Sequence, residues 1–213
     1  MSGLPIVLAS GNKGKYAEFA TFFGSLGELS CFSLLCPDEL RIAPPDPEET
    51  GESYEENALI KARAWANTFG LPAFADDSGL EVRALSMKPG IHSARIADGS
   101  DADRVSWLLD KLNGVTDRRA CFVASIVIAF PRGVNLGERD YFAARGRCRG
   151  VIADEPRGFN GFGYDPVFIP DGYTETFAEL GGDVKSKISH RAIAMNGVAK
   201  MAGCVVKYSG YDI

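Results

Sequence analysis

Ten residues at positions 121–130, CFVASIVIAF, form the longest near-continuous apolar run in the chain. The run is far too short to span a membrane and fits a strand buried on both faces. Around it the sequence alternates strand-like and helix-like segments, with no internal repeat and no low-complexity tract. That alternation argues for an α/β fold. The expectation is a long, elongated, twisted central mixed β-sheet flanked by helices, with two lobes framing an active-site cleft. At 213 residues, 46% of them apolar, the chain can bury a proper core, and no linker divides it, so residues 1–213 are expected to form a single domain.

The periodicities place the elements. A first strand is expected at about residues 6–9, and a helix over 14–26 carries Phe19, Phe22, Phe23 and Leu26 at i, i+3, i+4 and i+7. A proline-rich loop, IAPPDPEETGES (42–53), leads to a second helix at 54–69 with Ala58, Ala62, Trp65, Ala66 and Phe69 on one stripe. LPAFA (71–75) reads as a short buried strand ending at Asp76-Asp77-Ser78-Gly79. A third helix over 101–113 starts from Ser100 as N-cap and stops at Gly114. Strand-like segments at 121–130, 139–147 and 165–169 dominate the middle of the chain, and a last helix runs from an N-cap at Ser189 towards Val205.

Charge and composition narrow the partners. A net charge of −5 argues against binding to nucleic acid, which needs a basic surface, so any bound anion must meet a local cationic site. The N-terminus lacks the pattern of a signal peptide, and the expected location is cytoplasmic with no membrane partner. Cys31, Cys36, Cys121, Cys148 and Cys204 make an odd set with no CxxC pair and are expected to be reduced thiols.

Six segments carry candidate chemistry. In SGNKGK (residues 10–15), Gly11 and Gly14 allow close backbone approach at a strand-to-helix turn, beside Lys13 and Lys15. This is not a Walker A loop, because Ala9 and Tyr16 stand where that motif needs glycine and a hydroxyl that ligates magnesium. An ordinary turn with solvated lysines is the alternative. Two acidic pairs offer metal ligation or base chemistry: Glu48-Glu49 in the loop, where a solvated helix start is the alternative, and Asp76-Asp77 at a strand end. Neighbouring acids on extended backbone point in different directions and can divide their work, although Asp77 could instead cap the Ser78-Gly79 turn.

Asn57 and Lys61 share one face of the second helix, with Lys61 at the edge of its apolar stripe; a snorkelling lysine is the plain alternative. GFNGFGYDP (158–166) offers Phe162 or Tyr164 as a flat ring for stacking, or else a β-bulge or corner turn. KSKISHRA (185–192) places His190 and Arg191 in the first turn of a helix, against the dipole, at a cost of about 0.3–1 kcal/mol each. A ligand rich in carbonyl or phosphate oxygens accounts for that placement.

The order SGNKGK, EETGESYEENALIKA, ADDSGL, PGIHSAR, GFGYDP, KSKISHR resembles the inosine triphosphate pyrophosphatase family, nearly end to end. The resemblance implies Mg²⁺-dependent hydrolysis of dITP, ITP and XTP to the monophosphate and pyrophosphate, by a homodimer. By the same resemblance Ser10, Gly11, Asn12, Lys13, Gly14 and Lys15 form the triphosphate loop and Lys61 makes a further phosphate contact. Asp77 matches the general base and a metal ligand, with Ser78 beside it on the substrate. Glu48 matches a second metal ligand, and the roles of Glu49 and Asp76 stay open. Phe162, Gly163, Tyr164 and Asp165 match the nucleoside-binding turn, while Lys185, His190 and Arg191 match residues that hold the purine and read its 6-oxo group. A non-catalytic nucleotide sensor using the same residues is the competing reading.

Overall fold

The computed structural model describes residues 3–35, 40, 42–134 and 140–208, the side chains of Lys13 and of residues 203–208 excepted. Cys36, the side chain of Cys204 and the end of the YSGYDI tail lie outside the described residues. Six strands form one sheet: β1 (Leu4–Leu8), β2 (Phe32–Leu35), β3 (Ala73–Val82), β4 (Arg119–Ala129), β5 (Tyr141–Ile152) and β6 (Phe168–Pro170). Their order is β2-β1-β3-β4-β5-β6. β1 runs parallel to β2 and β3, whereas β5 and β6 are antiparallel, so the sheet is mixed as the alternation predicts. The helices are α1 (Lys13–Ser25), α2 (Tyr54–Phe69), α3 (Asp101–Lys111), α4 (Phe177–Ile188) and α5 (His190–Tyr208).

The chain divides into two compact units, Met1–Asp77 with Ser125–Arg145 and Ala194–Ile213, and Ser78–Ala124 with Gly146–Ile193. Each has its own core. In the first, Ala58, Ala62, Trp65 and Ala66 of α2 pack against Val7 and Ala9, Ala73 and Ala75 of β3, and Val127 and Ala129 of β4. Three alanines on one helix stripe let the helix sit close to the strands. Phe74, between Ala73 and Ala75, points the other way and meets Phe19 of α1 edge-on at 4.9 Å. The two helices therefore cover opposite faces of β3. In the second unit, Leu80 and Val82 of β3 pack with Val105, Leu108 and Leu112 at α3, Phe122 of β4, Ile152 of β5, and Phe168 and Phe177.

α2 has the bounds its period predicts. Ser53 caps it in a reciprocal box with Glu56, and Gly70 ends it in the left-handed region at φ 65°. α3 begins from the predicted cap, Ser100, in a box with Asp103. Three departures from expectation matter. β3 does not stop at the acid pair; it continues through Asp76, Asp77, Ser78 and Gly79 to Val82. The turn that Asp77 would have capped does not exist. Second, α4 precedes the final helix, so Lys185 and His190 lie on different helices joined at Ser189. Gly181 breaks α4 with φ 76° and ψ −179°, which hides its period in the sequence. Third, residues 165–167 form a 3₁₀ turn and leave β6 only three residues long.

β3 passes Gly79 under a tight turn at Pro89–Ser93. A β-carbon at Gly79 would lie 2.1 Å from the Gly90 carbonyl oxygen and 2.6 Å from Ser93 Oγ, which itself accepts from the Leu80 N–H at 2.8 Å. Gly79→Ala should therefore destabilise the protein by about 1–3 kcal/mol, as overpacking against rigid backbone does. Urea denaturation followed by circular dichroism measures this, and an unchanged midpoint would contradict the close approach.

Candidate active site

Two clusters gather the predicted residues, one in each unit. In the first unit, β3 carries two consecutive buried carboxylates, Asp76 and Asp77. Their side chains leave the strand on opposite sides, and each meets a lysine from a different helix. Lys15, in the first turn of α1, reaches Asp76 Oδ2 at 2.8 Å and the Asp76 carbonyl at 3.2 Å. Lys61 of α2 donates to Asp77 Oδ1 at 3.2 Å and to the same Asp76 carbonyl at 3.2 Å. Its third contact is Glu49 Oε1 at 3.0 Å. Asn57, one helical turn before Lys61, holds the Gly51 N–H through its Oδ1 at 2.8 Å and turns its Nδ2 to Asp77 Oδ2 at 3.5 Å. The helix-sharing pair Asn57 and Lys61 thus converges on one carboxylate.

The loop before α1 is ordered by its own side chains. Ser10 Oγ accepts from the Asn12 N–H at 3.1 Å, and Asn12 Oδ1 accepts from the Lys15 N–H at 3.1 Å as the N-cap. The first turn of α1 carries no acidic residue to balance the positive end of its dipole. A β-carbon at exposed Gly11 would meet nothing within 4 Å, which leaves open space over the loop. Lys13 opens the helix, and its side chain lies outside the described residues. Between the two loop acids, Glu49 is the one brought to Lys61, whereas Glu48 is exposed.

Burial pushes the Asp77 carboxyl above its ordinary range; Lys61 and Lys15 oppose this, and Glu49 and Asp76 add to it. Burial works against the Lys61 ammonium too, but Asp77, then Glu49, outweigh it and its pKa rises. These two shifts are consistent, because three carboxylates surround two ammonium groups. A carboxyl whose pKa is higher folded than unfolded costs stability as pH rises between the two values.

In the second unit, the 161–165 turn is built on a buried ion pair. Lys185 Nζ donates to Asp165 Oδ2 at 2.6 Å, and the same oxygen accepts the Phe162 N–H at 2.9 Å. Gly161, at φ 82°, makes room for it, since a β-carbon there would fall 2.1 Å from that oxygen. Gly163 donates its N–H to Asp101 Oδ2 at 2.6 Å. Phe162 is half-buried, with the Lys185 ammonium 4.6 Å and the Arg191 guanidinium 5.1 Å from its ring centre. Arg191 also donates to Ser78 Oγ at 2.7 Å. His190 is buried with its ring stacked on Phe122 at 4.7 Å and 9°. Tyr164, the other candidate ring, belongs to the core; its hydroxyl donates to the Ser93 carbonyl at 3.1 Å, and burial lifts its pKa to about 12.

A model of the Ham1 family matches residues 6–201. The chain belongs to the Ham1 family. Its Ham1 relatives include the dITP/XTP pyrophosphatase of Deinococcus deserti, 43% identical over 92% of this chain and 88% of that protein. Among solved structures, a HAM1 protein from Coxiella burnetii superposes with a TM-score of 0.80 at 39% identity, covering 93% of this chain and 98% of that one. The Ham1 protein of Staphylococcus aureus gives 0.78 at 40%, covering 93% and 97%. These likenesses show the mixed α/β fold of Ham1 proteins.

Asp101 and Ser93 hold the 161–165 turn and Phe122 stacks on His190, and none of the three is legible in the sequence as a site residue. Asp101 carries only the signal of a first-turn acid, and Phe122 that of an apolar strand residue. Two outcomes test the clusters. In metal-free protein, the Asp77 carboxyl should titrate above the usual carboxylate range, and Lys61→Met should raise it further, because the largest opposing cation is gone; carbon NMR of the labelled carboxyl reads both. Lys185→Met should cost about 3–5 kcal/mol by stranding buried Asp165, whereas the double change with Asp165→Asn should recover much of that loss in chemical denaturation.

Proposed function

We propose that the protein hydrolyses non-standard purine nucleoside triphosphates, dITP, ITP and XTP, to the monophosphate and pyrophosphate. The carrying observation is Asp77: a buried carboxylate, raised in pKa, held by Lys61 and faced by Asn57. A buried acid with a perturbed pKa beside lysines suits proton abstraction from a water that attacks a polyphosphate. Water adds to the α-phosphorus, its proton passes to Asp77, and the α–β bridging oxygen leaves with pyrophosphate. Lys15 and Lys61 neutralise charge on the phosphates, with Lys13, at the start of the helix that carries Lys15, as a third cation.

Oxygen donors of the first cluster fit a hard cation. Lys61 Nζ is already ringed by Glu49 Oε1, Asp77 Oδ1 and the Asp76 carbonyl at 3.0–3.2 Å, so a positive charge is at home there. No group of three or more His, Cys, Asp or Glu side chains among the described residues forms a metal cage. Mg²⁺ commonly uses one or two carboxylates and completes its shell from phosphates and water. Asp77 and Glu49 would hold it, Glu49 replacing the Glu48 of the sequence-based expectation. Bound there, the cation would supply further charge neutralisation for the transferred phosphoryl group.

On the nucleoside side, Phe162 supplies the ring, pinned by Asp165 and Lys185, and Arg191 and His190 supply donors. A 6-oxo purine accepts from such donors, whereas a 6-amino purine opposes them at a cost of about 1–3 kcal/mol per unmatched buried group. Ser78 follows Asp77 in the chain and accepts from Arg191 at 2.7 Å. A homodimer, a cytoplasmic location and a single domain over residues 1–213 belong to the same reading. The described residues include no helix long and apolar enough to cross a membrane.

The test is pyrophosphate release with Mg²⁺ from dITP, ITP, XTP and the four common nucleotides. Release should favour the three non-standard purines and disappear in Asp77→Asn, which should melt at no lower temperature. A wild-type protein that binds ITP without releasing pyrophosphate would instead make it a nucleotide sensor.

A further inference from the structure

Lys61 occupies the place that the proposed reaction needs for a metal. Its ammonium has three oxygen neighbours from two segments: Glu49 Oε1 at 3.0 Å from the loop before α2, and Asp77 Oδ1 and the Asp76 carbonyl, both at 3.2 Å, from β3. The other lysine is placed differently. Lys15 meets the Asp76 carbonyl and the Asp76 carboxylate, so Asp76 keeps a cation whatever Lys61 does.

A divalent ion and an ammonium compete for these oxygens. At the few ångströms involved their repulsion is strong, and it is weakened little by solvent at a side chain that is 15% exposed. We propose that Lys61 is a placeholder cation. In the ligand-free protein it neutralises Glu49 and Asp77, and the divalent ion displaces it only when a polyphosphate offers the ammonium a new anion. This deepens the pyrophosphatase reading and rests on its assignment of Glu49 and Asp77 to the metal. Lysine suits the task, because its compact ammonium rides on a flexible four-carbon stem and can change partners without moving α2.

Two consequences follow from the charges. The buried acids are never left without a counter-ion, which keeps the ligand-free protein stable. The metal binds weakly alone and tightly with nucleotide, so the two ligands are synergistic, and by linkage each strengthens the other equally.

The experiment titrates nucleotide-free protein with Mn²⁺, following the free ion by electron paramagnetic resonance. Lys61→Met should bind Mn²⁺ on the order of tenfold more tightly than wild type, because one opposing positive charge is gone. Lys61→Arg, which keeps the charge, should bind as weakly as wild type. Adding Asp77→Asn to Lys61→Met should abolish the gain, which places the ion beside Asp77. A non-hydrolysable dITP analogue should tighten Mn²⁺ binding in wild type far more than in Lys61→Met. Thermal melting confirms folding, and Lys61→Gln, with its polar tip, should show the same gain if the methionine variant does not fold. Equal or weaker Mn²⁺ binding by the uncharged variants would overturn the placeholder. The outcomes separate from those of the activity panel: a gain in Mn²⁺ affinity without dITP hydrolysis sinks the enzyme reading alone, and hydrolysis without the gain sinks the placeholder alone.

Discussion

Two neighbouring carboxylates inside a buried strand impose the main constraint on this molecule. An isolated ionised group in such a place is prohibitively costly, and two together repel each other. The structure meets this by bringing a lysine from each of two helices on opposite faces of β3, Lys15 to Asp76 and Lys61 to Asp77. The helix starts then become critical. Successive residues of a helix are turned by about 100°, so a slip of one residue in α2 would carry Lys61 off the strand. The Ser53–Glu56 box and the Asn57–Gly51 bond fix that start, and Asn12 fixes the start of α1. Capping residues that look merely local thus set the electrostatics of the centre.

The second cluster repeats the principle with different parts. Lys185 and Asp165 are both buried, and their pairing holds the backbone of Phe162 while leaving its ring half-open. A buried ion pair of this kind adds little net stability, because desolvation offsets its attraction. Its effect is positional: one carboxylate oxygen, one ammonium and one glycine without a side chain define where the ring stands.

How far these arrangements could be read from sequence varied with the type of signal. α2 is legible in the sequence from its stripe of Ala58, Ala62, Trp65, Ala66 and Phe69, whose period gives the bounds observed. The acid pair stood out because charge directly after LPAFA needs a reason. The end of β3 is not legible in the sequence because Asp, Asp, Ser and Gly are poor strand formers and good turn formers, and only tertiary lysine partners make them tolerable in a strand. α4 was hidden by Gly181-Gly182. Which of Glu48 and Glu49 meets Lys61 depends on the path of the loop, and two adjacent glutamates carry no local signal of it. Likewise Phe162 and Tyr164 differ as candidate rings only because the tyrosine hydroxyl finds the Ser93 carbonyl in the core.

The division of the chain carries a different implication. The second unit is assembled from Ser78–Ala124 and Gly146–Ile193, and the first from three segments around them. The backbone passes from one unit to the other four times, at residues 77/78, 124/125, 145/146 and 193/194. Three of those passages fall inside the strands β3, β4 and β5, and the fourth inside α5. No single cut releases either unit as a continuous segment, and any exchange of one unit between related genes must join at four interior points of regular structure. Exchange of a whole unit therefore needs four coordinated junctions, whereas substitution residue by residue needs none.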